Sequence, residues 1–398
     1  MHWRLSPTAA FLLLASLTVS FLAGSSAPTP LYGVYMAEWG LTPLMVTVIF
    51  GIYALAVLVA LLVAGRLSDH LGRKPILLAA TLTQAVTMII FITATSVTGL
   101  LVARVLQGLT TGAALGAIGA GMIDLDKTRG TVANAVAPPF GTATGAIVAG
   151  VLVQFLPFPT HLVYAVFGLV FIAQALGIVF MNDSITPRGG VLASLKPKLG
   201  LPRATREPLL LATPVLIAVW ALAGFYGAIS PLLVKGMLGV NTPLVGGLAL
   251  FVVATFGGLS VLVLQHREAK EMMMLGAASL IVGVAITALS VADASIAFFF
   301  VGAVIAGVGF GAGFQGAVRT VVPFAAPHER AGVLSIVFII SYIAMGVPAV
   351  AAGWMLAHHG NIIATTQLFA AVIMALAGTA LLAGVLRAAT QWVSRAAG

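Results

Sequence analysis

The 398-residue chain contains no cysteine, which excludes disulfides and thiolate chemistry and leaves the redox compartment open. Charge is nearly as scarce. Asp, Glu, Lys and Arg make up 7% of the residues, against roughly 25% in an ordinary soluble domain, so the chain cannot cover itself with polar surface. No GxxxxGK[ST] stretch occurs, which removes ATP as an energy source. No metal-ligand spacing is present, and His358 with His359 stands in a short connection without a carboxylate partner. Neither an enzyme nor a cofactor is indicated.

Apolar residues are what the chain has, at 61%. A bilayer core about 30 Å thick takes about 20 of them per spanning helix, and the apolar runs number twelve. They cover about 8–35, 43–66, 75–95, 98–122, 133–155 and 161–181, then 209–233, 244–264, 273–291, 296–320, 332–356 and 364–386. Only helices satisfy their own backbone over such lengths in lipid, so the expected fold is an all-α integral membrane protein of 12 transmembrane helices. The first run also has the basic start and apolar middle of a secretory signal peptide. It continues through SSAPTPLYGVYM, and retention is expected.

The net charge of +9 reads as topology and not as nucleic-acid binding. With a cytoplasmic amino terminus, every Lys and Arg but Arg104 and Lys235 falls at a cytoplasmic helix end. Both termini are then cytoplasmic, and the short loops suit a bacterial inner membrane. Asn182 to Pro208, rich in basic residues, proline and glycine, reads as a cytoplasmic linker between an N-terminal six-helix bundle (1–181) and a C-terminal one (209–398). A faint repeat supports the halving: Gly108 and Gly112 recur as Gly307 and Gly311 about half a chain later. Parallel six-helix repeats are one transporter plan, with a central cavity between the halves.

The stretch GRLSDHLGRKP, between spans 2 and 3, concentrates charge in an oily chain. Gly65 and Gly72 allow close approach and a sharp turn, Asp69 offers a carboxylate at the membrane face, and Arg73 and Lys74 suit the lipid headgroups. Gly65, Leu67, Ser68, Asp69, Gly72, Arg73 and Lys74 together resemble the loop signature of the major facilitator superfamily. The resemblance covers the whole chain and implies that Asp69 and Arg73 act as a conformational latch where the halves meet. The residues alone also suit a positive-inside loop with a surface ion pair. His70 departs from the family's basic residue and is either a solvated loop side chain or a group titrating near neutral pH.

In span 4, Arg104, Gln107, Gly108 and Gly112 resemble the superfamily's helix 4 motif, whose arginine is implicated in proton coupling or substrate charge. Arg104 lies about two turns inside its helix, where a buried charge must find protein, water or the headgroups by snorkelling. In span 5, APPFGTATGAIVAG keeps Gly141 and Gly145 of the antiporter pattern but has Thr142 and Ala146 in place of its proline and last glycine. Pro138 and Pro139 are expected to kink that helix.

All ten acidic residues fall in loops or at helix ends, so no carboxylate sits in mid-membrane to hold a cationic drug. A neutral or anionic amphiphile suits Arg104 better. Tyr32, Tyr53, Gln107, Trp220, Phe225, Tyr226, Gln315 and Tyr342, with Arg104, are the candidate cavity residues, since aromatics with a polar tip suit a mixed cavity; ordinary helix packing is the alternative for each. Pro28 and Pro30 are expected helix breaks beside a site. The expected function is secondary active transport of a small organic molecule by alternating access, as proton-coupled efflux by a monomer. Proton-coupled uptake of an organic anion is the alternative within transport, and a lipid flippase or transporter-like sensor the alternative outside it.

Overall fold

The computed structural model describes residues 4–186, 189–197, 199–238 and 242–396. Among them every regular element is helical, and twelve helices are long and apolar enough to cross a membrane. These are α1 (Pro7–Ser26), α2 (Pro43–Ala64), α3 (Arg73–Thr93), α4 (Val97–Leu125), α5 (Lys127–Phe155) and α6 (Pro159–Val179). The second set is α7 (Arg203–Lys235), α8 (Pro243–Leu264), α9 (Ala269–Ala292), α10 (Ile296–Phe324), α11 (Arg330–His359) and α12 (Ile362–Leu386).

Local chemistry sets their starts. Ser6, Thr42, Ser96, Asp126 and Ser295 each accept a backbone N–H three residues on, capping α1, α2, α4, α5 and α10. Pro7, Pro43 and Pro159 occupy first-turn positions that need no N–H. The helices outrun the apolar runs at several ends. α4 continues to Leu125 and α5 begins at Lys127, with Asp126 alone between them, because polar residues past the apolar run stay helical.

Two helices depart from regularity. The run expected to continue to about residue 35 is divided: α1 stops at Ser26, a turn over 27–31 follows, and a short helix resumes at Tyr32–Trp39. Pro28 and Pro30 lie in that turn and donate no N–H, so the chain passes through it on Thr29 N–H to Ser26 and Leu31 N–H to Pro28, both at 3.0 Å. α7 carries a π-helical turn at Phe225–Ile229. Pro138 and Pro139, by contrast, sit inside an uninterrupted α5.

The chain divides into two compact units, Met1–Lys198 with Gly227–Phe251, and Leu199–Tyr226 with Val252–Gly398. In the first, α2 packs on α4, α3 on α6 and α4, and α1 on α5. In the second, α9 packs on α10 and α12, and α7 on α10, α11 and α12. The glycine repeat is realised in each. A side chain at Gly112 would meet Ala60 and the Val57 carbonyl of α2, and one at Gly311 would meet Ser260 and the Gly257 carbonyl of α8. The interiors differ in chemistry. The first unit buries Arg73, Arg104, Gln84, Gln107 and Gln174, whereas the buried polar residues described in the second are all Ser or Thr.

Candidate functional site

The deepest charge is fully enclosed. Arg104 is 0% exposed, so it does not snorkel to the headgroups. Its Nη1 donates to the Ser25 carbonyl and to Gln107 Oε1, both at 2.7 Å, and its Nη2 donates to the Tyr32 hydroxyl at 2.6 Å. The guanidinium lies over the Tyr53 ring, 5.2 Å from its centroid. Gln107 Nε2 in turn donates to the Gly24 carbonyl at 2.9 Å.

These partners follow from the break in α1. Pro28 has no N–H for the carbonyl four residues back, that of Gly24, and the Thr29 N–H goes to Ser26 instead of Ser25. Two orphaned carbonyls therefore face α4, which supplies an amide and a guanidinium. Tyr32, Tyr53, Arg104 and Gln107 are thus brought together, next to the turn that holds Pro28 and Pro30. All four are buried. No carboxylate pairs with Arg104 among the described residues, and its Nε has no partner.

The loop between α2 and α3 forms a second constellation. Gly65 ends α2, a short helix runs over Leu67–Leu71, and Gly72 turns the chain at φ +104°. Arg73, buried at the start of α3, pairs with Asp69 and donates to Ser68 Oγ at 2.7 Å and to Asp124 Oδ2, at the end of α4, at 3.2 Å. Asp183, beyond α6, accepts the backbone N–H groups of Arg73 at 2.9 Å and Lys74 at 3.3 Å. It is an anion on the positive end of a helix. The backbone angle at Gly72 is one that L side chains rarely adopt, and a Cβ there would also displace that carboxylate from the N–H groups it accepts. His70 Nδ1 lies 3.0 Å from the Gly189 carbonyl. Asp124 and Asp183 went unassigned in the sequence reading; acidic residues beside helix ends that are otherwise basic are the signal that points to them.

In the second unit, Trp220 is ringed by Tyr342 at 5.0 Å, Phe314 at 5.5 Å and Phe310 at 6.4 Å between centroids, with Phe338 against Tyr342 at 6.4 Å. The Trp220 Nε1 atom is buried without a partner. Half-buried Gln315 follows Phe314 in α10. Phe225 and Tyr226 lie elsewhere. Both are buried, Phe225 packs on Phe369 at 5.4 Å, and the Tyr226 hydroxyl meets Thr287 Oγ1 at 3.1 Å in a narrow crevice between α7, α9 and α12. Phe310, Phe314 and Phe338 were not singled out from the sequence, although the first two recur at helical spacing on one face of α10.

In α5, Gly141 and Gly145 lie against the backbone of α1 at Val19 and Ala23, and Ser26 Oγ donates to the Thr142 carbonyl at 2.8 Å. The small residues of the degenerate antiporter pattern are those that permit this approach.

The sequence pattern of the Major Facilitator Superfamily matches residues 13–347. The chain belongs to the major facilitator superfamily. It is a secondary transporter of that superfamily, a class of transporters and not of enzymes, with the superfamily's twelve-helix membrane fold. Among solved structures it is similar to the nucleoside transporter NupG, solved as a point mutant (TM-score 0.72, 11% identity, 94% of this chain and 99% of that one). It is likewise similar to a bacterial homologue of the human lysosomal transporter Spinster, solved inward-facing and unoccupied (TM-score 0.72, 14% identity, 95% of each chain). At these identities the likeness is one of fold. No curated protein sequence matches the chain.

Proposed function

We propose that this superfamily transporter exports a small neutral or anionic organic amphiphile by alternating access, in exchange for protons. The observation that carries the substrate class is Arg104. Its charge is held at 0% exposure with no carboxylate beside it, and none of the ten acidic residues of the chain is buried. The interior of the first unit therefore carries uncompensated positive charge, which disfavours a permanent cation over the short ranges where low dielectric leaves charges unscreened. Arg104 and Gln107 are fully buried, so we assign them to coupling and electrostatic selection; Tyr32, Tyr53, Phe225 and Tyr226 are buried as well, so we assign substrate contact to the half-buried Trp220 and Tyr342. Trp220, with an unused indole N–H beside Tyr342, suits an acceptor atom on an otherwise apolar solute.

Export is supported by the close packing of Gly141 and Gly145 on α1, the part of the antiporter resemblance that the chain retains. Asp69 and Arg73 are proposed as the latch, in a monomer of two six-helix halves joined by residues 182–208. Both termini are placed on the cytoplasmic face of a bacterial inner membrane.

Counterflow in proteoliposomes tests the reading, with an uncharged nucleoside, neutral and anionic amphiphiles and a quaternary ammonium compound compared with and without a pH gradient. Neutral or anionic compounds are expected to exchange and to move against their gradient with proton influx. Exchange confined to the quaternary ammonium compound overturns the substrate class, and accumulation of an organic anion with protons overturns the direction.

A further inference from the structure

Besides Arg104 Nε, three buried side chains of the first unit carry hydrogen-bonding atoms without a partner, and these three are uncharged: Thr81 Oγ1, Gln84 Nε2 and Gln174 Oε1. Thr81 and Gln84 are fully buried and Gln174 is 8% exposed. Leaving such groups unmatched is costly, so three in one place call for a common explanation.

They are in one place because of the register between α3 and α6. Phe91 stacks on Tyr164 at 4.5 Å, and Met88 sits 3.4 Å from the Cβ position of Gly168, so residue numbers fall along α3 as they rise along α6. Continuing that register sets Gln84 opposite Phe171 and Thr81 opposite Gln174. α1 closes the third side. The Cβ position of Gly24 is 3.4 Å from Phe171 and 3.7 Å from Gln84 Nε2. One turn back, Ser20 Oγ accepts from Gln174 Nε2 at 2.9 Å, with Ser16 Oγ beside it at 3.1 Å.

We infer that Thr81, Gln84 and Gln174 bind an internal water between α1, α3 and α6. The donor set favours water over an ion. No charged side chain is among the three, and two amides and a hydroxyl present both donors and acceptors. Turning either amide over exchanges its oxygen for its nitrogen but leaves one atom unmatched, and water serves either orientation because it donates and accepts. Buried waters typically make about three hydrogen bonds to groups of this kind. The site also joins the Arg104 hub. Thr110 Oγ1 lies 2.5 Å from Gln84 Oε1 and 3.0 Å from the Gln107 carbonyl, its one proton serving either, and Gln107 holds Arg104. A bound water therefore completes a polar connection from α6 through α3 and α4 to the break in α1. The inference does not depend on the proposed substrate or direction.

X-ray radiolytic labelling in H2(18)O of the full chain in nanodiscs tests it. Phe171 borders the site and Phe299, in the second unit, is equally buried. Phe171 is expected to take up the isotope at least several-fold faster than Phe299. In Thr81→Val/Gln174→Met the excess is lost, while Thr81→Ser, which keeps the hydroxyl, retains it. Equal labelling of Phe171 and Phe299 in the parent chain overturns the site whatever the variants do, and so does an excess that survives the double substitution.

Discussion

Gln107 donates to the Gly24 carbonyl, the same carbonyl that Pro28 is unable to reach. A helix break and a polar residue on another helix, joined through a carbonyl 83 positions before that residue, are therefore one feature. Gln107→Leu removes the donor and strands the carbonyl in the interior, at a cost of about 1–3 kcal/mol. The expected outcome is a lower midpoint in a thermal unfolding assay. An unchanged midpoint in Gln107→Leu would count against the assignment.

Arg104→Ala is expected to lower transport by at least tenfold with near-normal expression. Arg104→Lys should rescue poorly, because one ammonium does not reproduce a planar fork that serves the Ser25 carbonyl, Gln107 and Tyr32 together. Initial rates in proteoliposomes decide it. For an anionic substrate the Ala change also weakens binding; for a neutral one, binding holds and the response to a pH gradient disappears.

Around Arg73 the carboxylates separate by position. Asp69 is half exposed, and its removal leaves Arg73 its contact with Asp124, so Asp69→Asn should barely alter stability. If the latch proposal holds, it shifts the conformational population, read as altered labelling of single cysteines placed in this cysteine-free chain. Asp183→Ala strips the cap from α3 and is expected to cost about 1 kcal/mol. Gly72→Ala should be worse than either, since it strains the backbone and collides with Asp183.

Trp220→Phe keeps the ring contacts with Phe314 and Tyr342 but deletes the indole N–H. Under the proposed substrate contact, KM rises roughly tenfold, the order of one hydrogen bond, with the thermal midpoint held within a few degrees. A fall in stability with KM unchanged would mark Trp220 as packing alone.

The twelve spans were legible because apolar runs of bilayer length admit few alternatives. Their ends were less so: Lys127 to Ala133 is polar enough to read as loop, yet Asp126 caps a helix that begins there. The depth of Arg104 could be read directly from its helix. Its partners could not, since the carbonyls of Gly24 and Ser25 become available only through the turn at Pro28 and the packing of α1 against α4. Asp124 and Asp183 were seen as helix-end acids, but their bonds to Arg73 depend on which loops meet, a tertiary fact with no local signature. The aromatic candidates divided for a similar reason. Trp220 and Tyr342 share one cluster, whereas Phe225 and Tyr226 turn into the crevice facing α9 and α12.

The solitary guanidinium within α4 also has an electrical meaning. One elementary charge crossing the whole membrane is worth about 2.3 kcal/mol per 100 mV, so a shift through a tenth of the field is worth about 0.2 kcal/mol. The one carboxylate of that helix, Asp124, is exposed at its end and not at the depth of Arg104, so it does little to cancel that work. A rearrangement that moved this helix along the membrane normal would be a gating current in miniature, and membrane voltage would then bias the resting conformation even when the solute carries no charge.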